Sequence, residues 1–446
     1  MLAPGEALMA TRTRQRSALA ATLGLWICAA VIHAASPPEN TATARSQGSG
    51  KVQSPNLWKG FQPGKVDQTT SSGRTLVRYQ HSRDPGWGYE TDGTDHFLVA
   101  LPGRVLTPPP LCVVLHSAGG NFREPFESIC AAHHQRGFYG DDTFYVLSLD
   151  CSANREVDWW WGNEAIERQP RKYQAEFTPT EKRVLATIEW AVREFGIDRD
   201  RIYLNGISMG GSGCLGIGIN HGEIFAAVSV VVPAGVRHMS HRLPAVLPVD
   251  PPPLVNVSSH LDGYALGQEE LLQLFANRGY SLTFAWEPFA HAATRIGEIN
   301  PAVYDFPWLT IRKNEAYPVF ARATTDQHYP GLNNSREPDQ RGQINGYFRW
   351  KNLQDVDDRL AMELRLVRKE ELRHPFDPPT AAEADLTLRR IQRFVVKAGR
   401  SYEWRMMAGS KALQSGKIVV GADGLLSVPK IRIAKEPTVF SITPAQ

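Results

Sequence analysis

Between residues 75 and 325, short apolar runs alternate with stretches of helical period. The runs fall at 75–79, 96–102, 111–115, 144–149, 202–204, 226–232, 254–258 and 281–286. Leu111-Cys-Val-Val-Leu115 is continuously apolar, which suits a strand covered on both faces. Helical spacing falls at 126–136, 179–195 and 269–278. Strands alternating with helices predict a mostly parallel sheet flanked by helices over 75–325. Residues 326–342 are polar and turn-rich and read as a linker. From 343 to 446 the helical period fades. Short alternating runs replace it at 345–350, 361–367, 385–388, 392–396, 402–404, 417–420, 425–428 and 438–442. This spacing predicts a C-terminal all-β, sandwich-like accessory domain. Asp423-Gly424 predicts a hairpin between two of its strands.

The ends of the chain and its composition narrow the setting. Arg12, Arg14 and Arg16 precede an apolar run over 18–35 that closes on Ala34-Ala35-Ser36. Residues 1–35 therefore read as a secretory signal peptide cut near Ala34 or Ala35, and the expected location is secreted or periplasmic. An uncleaved N-terminal anchor helix is the rival reading. Residues 36–74 are rich in Ser, Thr, Gln, Gly and Pro and are expected to form a flexible lead-in. The chain has 446 residues, 42% of them hydrophobic, enough for two folded domains with a sizeable core. Its 49 basic and 46 acidic residues leave a net charge of +3, which argues against a nucleic-acid partner. Beyond the N-terminal segment there is no firm membrane signal. Outside that segment stand Cys112, Cys130, Cys151 and Cys214. They are open to disulfide pairing or to life as buried free thiols, and the apolar settings of Cys112 and Cys214 favour thiols.

The chemistry centres on Tyr203-Leu-Asn-Gly-Ile-Ser-Met-Gly-Gly211. Gly206-Ile-Ser208-Met-Gly210 has the G-x-S-x-G spacing of a nucleophile elbow, with a strand before it and a helix of small residues after it. A side chain at either flanking glycine would collide with neighbouring backbone. A bare G-x-S-x-G is also common as a Gly/Ser-rich loop, so the flanking elements carry the assignment. A serine hydroxyl needs a base, and the base needs an orienting group. Both are expected later in the chain, on loops at strand ends. Asp262, after the strand at 254–258, is the candidate acid; its alternative is a turn aspartate before Gly263. His291, after the strand at 281–286, is the candidate base; its alternative is a buried structural histidine. His260 is a rival base, but it precedes Asp262 on the acid loop. The oxyanion donors are expected to be the Met209 amide and that of Ala118 or Ser117, with Gly119 and Gly120 letting the loop close. His116 reads as structural. Trp159, Trp160 and Trp161 are candidates to line the substrate cleft, or else a packed loop. His133 and His134 adjoin on a helix and would point apart, so no metal is expected; acyl transfer through serine requires no cofactor.

These motifs together resemble the α/β-hydrolase superfamily, above all its secreted branch of feruloyl and acetylxylan esterases and polyhydroxyalkanoate depolymerases. The resemblance rests on Leu115-His-Ser-Ala-Gly-Gly-Asn121, on Asp198-Arg-Asp-Arg-Ile-Tyr-Leu-Asn-Gly-Ile-Ser208-Met-Gly-Gly, and on the Asp262 and His291 positions. The chain departs from it at Ser117, where the branch often has Gly after His, and at Ala290, where it often has Gly before the catalytic His. The resemblance implies an ester partner, open to being polymeric, and hydrolysis of carboxylic esters. A serine peptidase of the prolyl-oligopeptidase type shares the same core, and a non-catalytic binding protein on a hydrolase scaffold is the alternative outside enzymes.

Overall fold

The computed structural model describes residues 60–71, 73–125, 140–151, 159–160, 176–237, 249–291, 300–332 and 340–445. The segment expected to be a signal peptide, the predicted helix at 126–136, Cys130, His133, His134 and Trp161 lie outside them.

A ten-stranded sheet forms the first layer. Its strands are β1 (Gly64–Ser71), β2 (Arg74–Ser82), β3 (Thr94–Ala100), β4 (Leu111–Leu115), β5 (Tyr145–Leu149), β6 (Ile202–Ile207), β7 (Ala227–Val231), β8 (Leu254–Ser259), β9 (Leu282–Glu287) and, after β10 (Tyr317–Ala321) of another sheet, β11 (Gly342–Ile344). The order is β1-β2-β3-β5-β4-β6-β7-β8-β9-β11. From β5 through β9 every pairing is parallel, and β1, β2, β3 and β11 pair antiparallel at the two edges. The central strands β4, β7 and β8 are buried at every position; β4 is unbroken apolar, while β7 and β8 carry Ser229, Asn256, Ser258 and Ser259 inside. Helix α1 (Pro179–Phe195) starts at a reciprocal cap: Thr178 Oγ1 accepts from Glu181 N while Glu181 Oε2 accepts from Thr178 N. It ends at Gly196 in the left-handed conformation. Its apolar face lies in one core with the side chains of β3, β4, β5 and β6. α2 (Met209–Gly218) follows β6, and α3 (Gln268–Arg278) precedes β9.

Two smaller sheets hold most of the C-terminal strands. β10 (Tyr317–Ala321), β14 (Ala381–Arg389) and β17 (Leu426–Ala434) form one; β12 (Phe348–Val356), β13 (Arg359–Leu366), β18 (Thr438–Pro444), β15 (Ser401–Ala408) and β16 (Lys411–Val419) form the other, in that order. They share a core that includes Phe320, Leu364, Leu386, Met406, Val428 and Phe440, which makes a sandwich.

Several expectations change on the structure. The lead-in at 36–74 contains β1, a polar strand that pairs with β2 along its length. The run at 281–286 is not the last strand of the large sheet, because β11 pairs with β9 beyond it. β10 lies within 75–325 yet pairs with β14 in the sandwich. Residues 392–396 are not a strand; Asp355 instead accepts the amides of Gln392, Arg393 and Phe394. Asp423-Gly424 makes a turn, with Gly424 N donating to Gly421 O, but it carries the chain from one sheet to the other. Only Gly424 of the pair has positive φ, whereas a tight type I′ hairpin needs both central residues there.

Candidate active site

The site is built at the C-terminal ends of β4, β6, β8 and β9. β6 runs into Ser208, whose φ of 57° and ψ of −120° place a non-glycine residue in a sparsely populated region. Such strain persists only where the surroundings hold it. Here Ser208 N donates to Val231 O (2.9 Å), and Ser208 O accepts from Ser212 N (3.1 Å) and Ala234 N (3.2 Å). The glycines are required by close approach. A Cβ at Gly206 would press on the backbone of Gly210 and sit 2.9 Å from Cys214 Sγ; one at Gly210 would overlap the Leu115 carbonyl. Gly213 backs onto Trp160 in the same way. α2 can therefore lie directly against β4 and β6, with Ser208 at the crest of the turn.

Ser208 Oγ lies 2.7 Å from His291 Nε2, and His291 Nδ1 lies 2.7 Å from Asp262 Oδ2. The Asp262 side chain is fully buried, while that of His291 is 27% exposed. A buried carboxylate holds the imidazole from behind, and the opposite side of the ring is open to solvent. With Nδ1 donating to Asp262, Nε2 is left to accept the serine proton. Asp262 also serves its own turn: Oδ1 accepts from Tyr264 N (2.9 Å). The acid loop and the histidine loop are tied together at Glu287, whose carbonyl accepts from His260 N (3.1 Å) and Ser259 Oγ (3.0 Å). His260, the rival base, is fully buried and is not the histidine that meets Ser208.

The architecture is that of the α/β hydrolases. The strand order, the strained serine at the β6–α2 turn and the acid and histidine following β8 and β9 carry that statement. No family model and no curated protein sequence matches the chain. Solved structures similar to it include an S-formylglutathione hydrolase from Agrobacterium tumefaciens (16% identity, TM-score 0.39, covering 51% of this chain and 92% of that one). A fluorophosphonate-binding serine hydrolase of Staphylococcus aureus (13%, 0.38, 53% and 98%) and an acetyl xylan esterase from Aspergillus awamori (12%, 0.36, 52% and 98%) are others.

The loop after β4 supplies the second wall. His116 is buried, and the Cys151 amide donates to its Nε2 (2.9 Å). Asp150 Oδ1 lies 3.2 Å from the same nitrogen, and Nδ1 lies 2.8 Å from Ser117 O. His116 is thus a strut of the loop, as the sequence suggests. The Ser117 amide donates to Glu124 Oε2 (3.2 Å) and its hydroxyl to Ile207 O (3.2 Å). Of the two candidate donors in this loop, Ser117 is turned to structural work and Ala118 stays exposed at the rim. The Met209 amide is the first N–H of α2 and has no carbonyl within the helix to bond. Glu124 escapes sequence reasoning, since nothing marks a lone Glu after a glycine pair; the one signal is Gly120, where a Cβ would overlap the Glu124 carboxylate.

Trp160 requires a correction. It is fully buried, its Nε1 donates to His116 O (2.9 Å), and it wedges between α2 and the loop after β4. It has no surface to offer a substrate. Trp159 is half-buried against the main core, at a φ of 36°. Cys112, Cys151 and Cys214 are buried free thiols. Among the described residues no cluster of His, Cys, Asp or Glu side chains fits a metal ion, and no helix is long and apolar enough to cross a membrane.

Proposed function

We propose that the chain is a serine hydrolase of carboxylic esters. The observation that carries the reading is the continuous relay from Ser208 Oγ through His291 to the buried Asp262, at 2.7 Å for each link. In this mechanism Ser208 Oγ attacks the ester carbonyl carbon and its proton passes to His291 Nε2. The carbonyl oxygen becomes an oxyanion facing the Met209 and Ala118 amides. As the tetrahedral state collapses, the carbon–oxygen bond to the alcohol breaks and Nε2 returns the proton to the departing oxygen. Water, deprotonated by His291, then releases the acid from Ser208. Asp262 holds Nδ1 as the donor so that Nε2 faces Ser208 as the acceptor, and it stabilises the imidazolium formed midway. The reading extends to export of the mature protein, from the Arg-led apolar segment over 18–35, and to ester groups of plant polysaccharide or polyester, from the motif resemblance.

The test compares the mature protein with Ser208→Ala on short acyl, acetyl-sugar and feruloyl esters and on a peptide amide. Ester turnover that falls by about 10⁴–10⁶-fold in the variant is expected. Turnover of the amide alone would move the assignment to a peptidase. Identical behaviour of the two proteins on every substrate would remove Ser208 from any catalytic role.

A further inference from the structure

Two large apolar side chains stand open beside the relay. Tyr264 is 66% exposed and Leu266 is 48% exposed, while Ala265 between them is fully buried. The alternation turns both side chains outward from one short segment. Tyr264 packs edge-on against His291, with ring centroids 4.9 Å apart at 62°. The segment is held at both ends. Asp262 Oδ1 accepts from Tyr264 N (2.9 Å), so the carboxylate that orients His291 also aims Tyr264. Gly235 N donates to Tyr264 O and Arg237 N to Leu266 O, both at 2.8 Å. The loop making those bonds follows Ala234, whose amide is bonded to Ser208 O. Gly267 then turns away at a φ of 100°, with its Cα against the backbone of Arg237. Exposed apolar side chains on a fixed backbone beside a reactive group offer a contact surface at little ordering cost.

Proton transfer says which half of an ester meets this surface. The departing alcohol oxygen takes its proton from His291 Nε2, so it must come within hydrogen-bond reach of that atom. Whatever is attached to that oxygen lies along His291, and Tyr264 flanks His291. We propose that Tyr264, with Leu266 beside it, is the specificity wall for the alcohol half of the substrate, and that it selects alcohols carrying a ring with an apolar face. This rests on the ester-hydrolase reading above. Aryl and pyranosyl rings share the required chemistry, since both present C–H or π faces to a tyrosine ring.

The Ser208→Ala protein, which does not turn esters over, serves for binding. Phenyl acetate, a singly acetylated methyl pyranoside and ethyl acetate are titrated by ligand-observed NMR, with and without Tyr264→Ala. The preference for the ring-bearing ester over ethyl acetate is expected to fall about tenfold, equivalent to about 1.4 kcal/mol. Tyr264→Phe is expected to keep it, and whichever ring ester binds names the alcohol as aryl or glycosyl. An unchanged preference overturns the proposal. So does an equal loss for all three esters, which would make Tyr264 only a prop for His291, and so does failure of both ring esters to bind. Failure of the hydrolase reading shows separately, as absence of turnover by the unsubstituted protein.

Discussion

Gly210→Ala should damage stability and activity together, and the structure says by how much. An alanine Cβ there would sit 2.6 Å from the Leu115 carbonyl carbon and 2.8 Å from His116 O, and closer still to Leu115 O. These are backbone atoms of β4 and its exit, so no side-chain rotation relieves the overlap. Overpacking a tight core costs roughly 1–3 kcal/mol, and rigid neighbours put this site at the upper end. Alanine recovers up to about 1 kcal/mol of helix propensity against glycine. The net loss is therefore about 2 kcal/mol, or a fall in Tm of about 2–4 °C for a unit of this size. The strain must be relieved by moving α2 away from β4, which carries Met209 away from the loop holding Ala118. On the proposed mechanism this separates the two oxyanion donors, and kcat should fall by about 10²-fold with a smaller change in KM. Gly263→Ala is the control: it adjoins Asp262, but its φ is not positive and nothing lies within 4 Å of its Cβ. Thermal unfolding and steady-state kinetics on one ester decide the matter. A Gly210→Ala protein melting within 1 °C of the parent, or a Gly263→Ala protein losing as much, would refute the close-approach argument.

Glu124→Ala should lower kcat by about 10–100-fold by freeing the Ser117 amide and loosening the loop, while Glu124→Gln, which keeps an accepting oxygen, should retain most activity. Equal loss in both variants would mean that charge rather than the hydrogen bond matters. Alkaline pH should destabilise the fold through two buried groups. Burial pushes Glu287 up to about 8 against the opposing pull of Asn300 and Arg341. Burial would lower His221, but hydrogen bonds to Glu181 and Glu223 raise it to about 9. Both folded values lie above the unfolded ones, so their stabilisation is whole below about pH 4.5 and 6.5 respectively and is lost as pH rises through 8 and 9. Glu287→Gln should therefore melt about 5 °C above the parent at pH 9 and lose that advantage at pH 5; a gap independent of pH would exclude Glu287 as the titrating group.

Some of this was legible because local chemistry decides it. α1 spans the residues its period predicts, since Thr178 and Glu181 cap one end and Gly196 the other. Ser208 was legible because two glycines at that spacing serve few other purposes between a strand and a helix. Partner choice was not legible. Tyr317-Pro-Val-Phe-Ala321 is as apolar as the strands of the large sheet, and nothing local says that it joins β14. β11 has only three residues, too few for a period. Residues 392–396 alternate as a strand would, but Asp355 takes the amides of Gln392, Arg393 and Phe394 first. Trp160 stayed open between cleft and packed loop because adjacent tryptophans look alike in sequence, whereas this one is a wedge under the loop after β4. Glu124 and Tyr264 act through what surrounds them, a carboxylate reaching back seven residues and a ring left uncovered.

The sandwich is bound into the machinery that positions the histidine. β11 pairs with β9, the strand whose end leads to His291, so the chain entering the sandwich first closes the catalytic sheet. The chain leaving the sheet does the converse, since β10 forms an edge of the sandwich before β11 returns. Arg390 secures the junction: it is buried, its guanidinium donates to the carbonyls of Gly222, Phe225 and Ala226, and its amide donates to Asp250 Oδ2. Arg389 reaches the other Asp250 oxygen at 3.1 Å. Burial draws the Arg390 guanidinium below its usual range, a cost that the three carbonyls offset only while the two parts stay together. The carbonyls it grips lie between α2 and β7, immediately before the strand whose end holds Ser208 N. The sandwich is therefore bonded both to the strand that leads to His291 and to the segment before the strand whose end holds Ser208 N.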